Sequence, residues 1–271
     1  MTTTLAVANQ KGGVAKTTSV ASIGAALAEL GHRVLLVDLD PQACLTFSLG
    51  IDPEDLQVSV HHVLTQRAVA GEVVLQTPDG PDLMPATIEL ARAEADLLTR
   101  TGREHVITSM LQDLAESGAD YDWVLLDCPP SLGVLTVAAL TAADGVVVPL
   151  QCETLSHRGV GQLLDTVHDV RRFANRTLSV WGVLPTMYDG RTNHARTVLE
   201  TISETYDLDV IEPPIPKTIK FAEAPAAGRS ILATSRSSKG ATAYRQVAAN
   251  LVARAARNGA PAAAVPESGS H

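Results

Sequence analysis

Apolar positions along the chain follow two patterns. Uninterrupted apolar runs occur at TLAVAN (4–9), RVLLVDLD (33–40), DWVLLDCPP (122–130) and GVVVPL (145–150). They predict buried parallel strands, because a strand covered on both faces has no polar side to show. Elsewhere apolar residues recur every three or four positions, the period of a helix packed along one face. Val20, Ile23, Leu27 and Leu30 make one such stripe, and Gly31 stands where it can cap the end. Leu163, Leu164, Val167 and Val170 predict a long helix over 154–173. ARTVLETISETY (195–206) and residues 240–257 predict two more, and LSVWGVLPTMYD (178–189) a further strand. The pattern is weaker over 52–120. There VSVHHVL predicts a short helix, PDLMPAT a strand, and IELARAEADLL and HVITSMLQDLAE two helices.

Strands alternating with helices predict an α/β fold: a single-domain, mostly parallel β-sheet with helices on both faces. No repeat or linker divides residues 1–258, which are expected to form one domain. The small, Pro- and Gly-rich residues 259–271 predict a disordered tail. In such a sheet ligands bind at the carboxyl ends of the strands. The acids closing RVLLVDLD and DWVLLD fall at that end, as does the loop after TLAVAN.

Composition narrows the class. Hydrophobic residues are 45% of the 271 and aromatics only 3%, so Val, Leu, Ile and Ala must build the core. No apolar run approaches the about 18 residues of a membrane span, and no basic, cleavable leader opens the chain. A cytoplasmic protein is expected. Cys44, Cys128 and Cys152 lie far apart without a C-x-x-C, which argues against a disulfide framework or a Cys-rich metal site. The net charge of −9 argues against nucleic-acid binding, but its distribution argues otherwise. Residues 1–149 carry 7 Lys/Arg and 19 Asp/Glu, whereas residues 150–271 carry 14 and 11. Between 214 and 258 there are 8 basic residues and one acid, Glu223. Screening beyond about 10 Å lets such a local region meet a phosphate backbone inside an acidic protein.

The loop after the first strand reads QKGGVAKTT (10–18). The pattern G-x-x-x-x-G-K-[ST] of phosphate-binding loops would put glycines where Gln10 and Ala15 stand. The parts needed for phosphate are nevertheless present. Gly12 and Gly13 let backbone N–H groups approach anionic oxygens at a helix N-terminus. Lys16 reaches the β- and γ-phosphates as a point charge, and the Thr17 hydroxyl is placed to ligate Mg²⁺. Asp127, closing DWVLLD, suits an acid that holds the metal through water. Lys11 is an extra lysine for which the loop alone gives no role.

KGGVAKTT fits the variant loop x-K-G-G-x-x-K-[ST] and resembles that of the ParA/MinD superfamily of ATPases. VLLVDLDPQ (34–42), LLDCPPSLG (125–133), TMYDGRTN (186–193) and IPKTIKFAEAPAAG (215–228) are similar to segments of the ParA/Soj partitioning ATPases within it. The resemblance spans about residues 4–255. It implies a P-loop NTPase fold and binding of ATP or ADP with Mg²⁺ through Lys11, Gly12, Gly13, Val14, Ala15, Lys16, Thr17 and Thr18. It implies an ATP-dependent homodimer in which Lys11 reaches the partner's phosphates. It implies that Asp40 orients the attacking water, while Asp38 supports the magnesium site or the loop. Met187 and Pro216 are the implied adenine contacts. Arg191, Lys217 and Lys220 are the implied contacts to non-specific DNA, which gives a nucleoid-associated protein. A ParB-type protein is the implied activator of hydrolysis, in chromosome or plasmid segregation. A positioner of protein cargo, or a nucleotide-gated scaffold with negligible turnover, is compatible with the same residues. Ala15 departs from the glycine frequent in the family and is expected to slow nucleotide exchange.

Other features read as structural. His61 and His62 are adjacent, so they should not share a helix face, and a capping or solvated role is expected. Trp123 and Trp181 should be core, and the three cysteines small buried hydrophobes. Residues 240–257 are amphipathic and basic but lack the bulky apolar residues of a membrane anchor.

Overall fold

The computed structural model describes residues 2–153 and 156–258. The tail 259–271 lies outside the described residues, as do two positions of the helix predicted from 154. Seven strands form one sheet: β1 (Thr3–Val7), β2 (Val34–Asp38), β3 (Leu75–Gln76), β4 (Asp82–Met84), β5 (Trp123–Asp127), β6 (Gly145–Gln151) and β7 (Ser179–Thr186). Their spatial order is β3-β4-β2-β5-β1-β6-β7. Every pairing is parallel except β3 with β4.

Alternation along the strands sends neighbouring side chains to opposite faces. On one face Leu5, Val7, Trp123, Leu125 and Val147 pack with Val20, Ile23 and Leu27 of the helix Lys16–Glu29. Tyr244, Val247 and Leu251 of the helix Lys239–Asn258 join them. The amphipathic face of that last helix is therefore used inside the fold. Among the described residues no helix is long and apolar enough to cross a membrane. On the other face Ala6, Val124, Leu126, Val146 and Val148 meet three helices: Val106–Glu116, Val134–Ala142 and Ser156–Phe173. Both tryptophans are core and meet edge to face, centroids 6.4 Å apart.

The expected α/β architecture is present, with three differences in detail. The helix Val134–Ala142 was not expected from its sequence; it buries seven of its nine residues, so it has no polar stripe to reveal a helical period. The strand expected over PDLMPAT is confined to Asp82–Met84 between Pro81 and Pro85, which have no N–H to extend a ladder. Its antiparallel partner β3 is only two residues long.

Register places the site. Val7 pairs with Asp127, and Asp127 with Asp38. The loop following β1 and the acids closing β5 and β2 therefore stand side by side at one end of the sheet.

Candidate functional site

Residues 8–15 join β1 to the helix Lys16–Glu29. Hydrogen bonds from neighbouring strands hold this loop. Asn9 Nδ2 donates to the Pro149 carbonyl on β6 at 2.8 Å, and Asn9 Oδ1 accepts the Lys11 amide at 3.0 Å. Thr186, closing β7, donates to the Val14 carbonyl at 3.0 Å, and the Val14 side chain is buried. Gly13 adopts φ 73° and Ala15 φ 65°, both left-handed. A Cβ on Gly12 or Gly13 would meet no atom within 4 Å. Packing leaves the space over these glycines open, as a loop that admits phosphate requires.

Lys16 is 7% exposed, and its Nζ contacts the Lys11 carbonyl at 3.4 Å. Burial lowers its pKa, opposed by the charge of Asp127. Asp127 is fully buried, and neither carboxylate oxygen has a hydrogen-bond partner. Burial, reinforced by Asp38, holds its pKa well above the usual carboxylate range; the nearby Thr17 hydroxyl and Lys16 ammonium oppose the rise. A buried carboxylate without a donor is costly. A hard divalent cation shared with the Thr17 hydroxyl satisfies it, so Thr17 and Asp127 fit Mg²⁺.

The two acids of DLD differ. Asp38 is fully buried and accepts the Asp40 amide (3.1 Å), the Thr46 amide (2.9 Å) and the Thr46 hydroxyl (2.7 Å). It ties β2 to the helix Cys44–Ser48, and burial raises its pKa to about 6. Asp40 is part-exposed, accepts the Gln42 amide at 3.0 Å, and lines a cavity of about 520 Å³ over the loop.

That cavity joins Gly12, Gly13, Ala15, Lys16, Thr17 and Thr18 to Asp40, Met187 and Lys217. Val14 faces the core instead. Pro216 is not on the wall; it bridges Tyr188, and its neighbours Ile215 and Lys217 line the space. Lys11, next to Gly12 but not on the cavity wall, has Nζ 2.6 Å from Glu153 Oε2 of its own chain. Arg191 is exposed and clamps Asp189 through two 2.8 Å bonds. Lys220 pairs with Glu223 at 2.8 Å. Arg229, Arg245 and Arg254 reach acids outside the 214–258 segment, namely Asp79, Glu29 and Asp209. The basic region is thus narrower than its sequence suggests.

Pro130, Thr218, Phe221 and Tyr244 also line the cavity, and none was expected there. Asn9 and Thr186 were missed too, although a polar residue closing an apolar strand is a readable signal. Cys128 and Cys152 are buried as expected, but Cys44 is exposed and lines the cavity. His62 caps its helix, accepting the Ser59 amide at Nδ1. The expectation that His61 and His62 point apart is wrong: their ring centroids lie 3.8 Å apart, with the planes tilted.

A protein family described as an AAA domain matches residues 2–180. The sporulation initiation inhibitor protein Soj of Bacillus subtilis is 41% identical over 91% of this chain and 98% of its own length. The chromosome partitioning protein ParA of Caulobacter vibrioides is 38% identical, covering 92% and 94%. A Mycobacterium smegmatis protein named cobyrinic acid a,c-diamide synthase has been solved with ADP and magnesium, and with an ATP analogue and magnesium. It is 53% identical, covers 95% of this chain and 97% of its own, and superimposes with a TM-score of 0.84. With the loop, strand-end acids and sheet order in place, the chain belongs to the ParA/Soj-type partitioning ATPases of the ParA/MinD superfamily.

Proposed function

We propose that this protein is a Mg²⁺-dependent ATP hydrolase whose ATP-bound homodimer binds DNA without sequence preference and is reset by hydrolysis. The carrying observation is one cavity wall that joins the phosphate loop, Asp40 and Lys217. The register of β1, β5 and β2 brings Asp127 and Asp38 beside Val7, the last residue of the strand before the loop.

Each residue has a role in that reaction. Loop amides at Gly12 and Gly13 bind phosphate oxygens, and Lys16 neutralises charge between the β- and γ-phosphates. Thr17 and Asp127 would hold Mg²⁺, which would supply charge neutralisation to the phosphates. Asp40 orients the attacking water. Lys11 leaves Glu153 to stabilise the partner's transferring phosphoryl group, as a cation supplied in trans does. Met187 borders the base, and Arg191, Lys217 and Lys220 meet the DNA backbone. A ParB-type protein accelerates hydrolysis, giving a nucleoid-associated partition switch.

A second reading follows from the relative named cobyrinic acid a,c-diamide synthase: ATP used to activate a carboxylate for amide formation. Binding of a DNA duplex with no nucleotide, with ADP and with ATP separates the two. DNA binding only with ATP, weakened in Arg191→Ala, supports the partition switch. Nucleotide-independent binding or none, with ATP turnover stimulated by cobyrinic acid and an ammonia source, establishes the synthase reading.

A further inference from the structure

We propose that His61, His62 and Glu89 form a binding site for a divalent transition-metal cation of the Zn²⁺ class, separate from the nucleotide cavity. Adjacent helical residues ordinarily diverge by about 100°. Here the two ring centroids lie 3.8 Å apart, the planes tilted by 39°. The reason lies in the preceding turn. His62 folds back so that Nδ1 accepts the Ser59 amide at 3.2 Å. His61 turns the same way, its Nδ1 2.8 Å from Ser59 Oγ and 3.4 Å from Thr87 Oγ1. This leaves His61 Nε2 facing Glu89 Oε2, at 3.1 Å.

One ligand atom from each of the three residues lies within 4.8 Å of the others. Zinc–nitrogen bonds of about 2.0 Å put two ligands on one ion no more than about 4 Å apart. Closing that gap needs only a side-chain adjustment, and Glu89 and its carboxylate stand exposed at the surface. Two imidazoles and one carboxylate favour Zn²⁺, Co²⁺ or Ni²⁺ over Mg²⁺, which prefers an all-oxygen shell. The Ser59 and Thr87 hydroxyls on Nδ1 orient the His61 ring from behind, as outer partners of metal-bound histidines do. His62 adapts. Coordination through Nε2 moves its ring proton to Nδ1, and the long contact with the Ser59 amide is given up. The ion would staple the helix Val60–Leu64 to Glu89, at the N-cap of the helix Leu90–Leu97, at the β4 side of the sheet.

The test is titration of the metal-depleted, tag-free full chain with Co²⁺ in the absence of nucleotide. One equivalent should bind with visible d–d absorption, be displaced by Zn²⁺, and shift the Ser59 amide resonance. Glu89→Gln and His62→Gln should each weaken binding by at least about tenfold. Both variants should keep the parent's melting temperature in EDTA and its affinity for Mg²⁺·ADP, which shows that fold and nucleotide site are intact. The proposal is overturned if the parent shows no spectral change at saturating Co²⁺. It is also overturned if both variants bind Co²⁺ as the parent does, which would place the ion elsewhere in the chain.

Discussion

Ala15 adopts φ 65° at the end of the phosphate loop, where its Cβ crowds the following carbonyl. The left-handed conformation costs an alanine about 1–2 kcal/mol. Glycine would remove that strain but lose about 0.5–1 kcal/mol through its freer unfolded chain. Ala15→Gly should therefore raise stability by no more than about 1.5 kcal/mol in urea unfolding. It should also speed ADP release, because the loop no longer has a single narrow conformation. Release rates equal to the parent's would refute the second half. Asp38 makes a sharper prediction. Its folded pKa of about 6 exceeds the 3.8 of an ordinary aspartate, so the folded state holds a proton that the unfolded state has released. The stability this group contributes is therefore fully present below pH 3.8 and is lost as pH rises through about 6. Asp38→Asn should flatten that loss, keeping an acceptor for Thr46 while losing the one for the Asp40 amide. Urea midpoints between acid and neutral pH decide the matter; the same slope in parent and variant would sink it.

The helix Cys44–Ser48, which follows Asp40, and the helix Lys220–Ala226, which follows Lys217, meet through their ends. Gly50 and Gly228 touch there: a Cβ on Gly228 would stand 2.7 Å from Gly50 Cα, and Gly228 has φ 63°. Neither backbone can move aside without shifting its helix. Gly228→Ala should cost about 2–3 kcal/mol, combining overpacking with a left-handed alanine. A urea midpoint unchanged from the parent would show that the two segments are not rigidly joined. This contact was not legible in the sequence, because it links positions far apart through absent side chains. Much else at this scale was. RVLLVDLD and DWVLLD announced β2 and β5, since a strand buried on both faces reads as an apolar run closed by its functional acid. KGGVAKTT announced the turn into the helix Lys16–Glu29. The helix Val134–Ala142 stayed hidden because burial on all sides erases the period that betrays a helix. Pro216 itself is off the cavity wall, where its neighbours Ile215 and Lys217 stand, because its backbone bridges to Tyr188, a pairing the sequence does not display. Composition could not reveal that Arg245 and Arg254 are neutralised by acids from distant elements.

Those pairings decide how the whole molecule should meet DNA. Arg245 is held by two bonds to Glu29 and one to the Arg236 carbonyl. Arg254 is fixed on the Trp181 carbonyl and Asp209. These guanidiniums are committed to joining the helix Lys239–Asn258 to the rest of the fold. Among the described residues Arg191 and Lys220 pair with near neighbours in sequence, Asp189 and Glu223, on exposed surface. Exposed pairs are weak and screened, so a phosphate can replace the carboxylate. Lys217 is likewise exposed, at the cavity edge. If these three residues of each protomer bind phosphate in an ATP-bound dimer, six contacts form. Each releases about 0.9 counterion, so the logarithm of affinity should fall with the logarithm of salt at a slope near −5. Arg191→Ala removes two contacts and should bring the slope to about −3.5. Arg245→Ala should leave it at the parent value while lowering stability. Fluorescence anisotropy over a salt series with ATP measures all three. A parent slope near zero would remove the phosphate contacts altogether, and an equal loss in both variants would mean that charge, not its commitment within the fold, governs DNA binding.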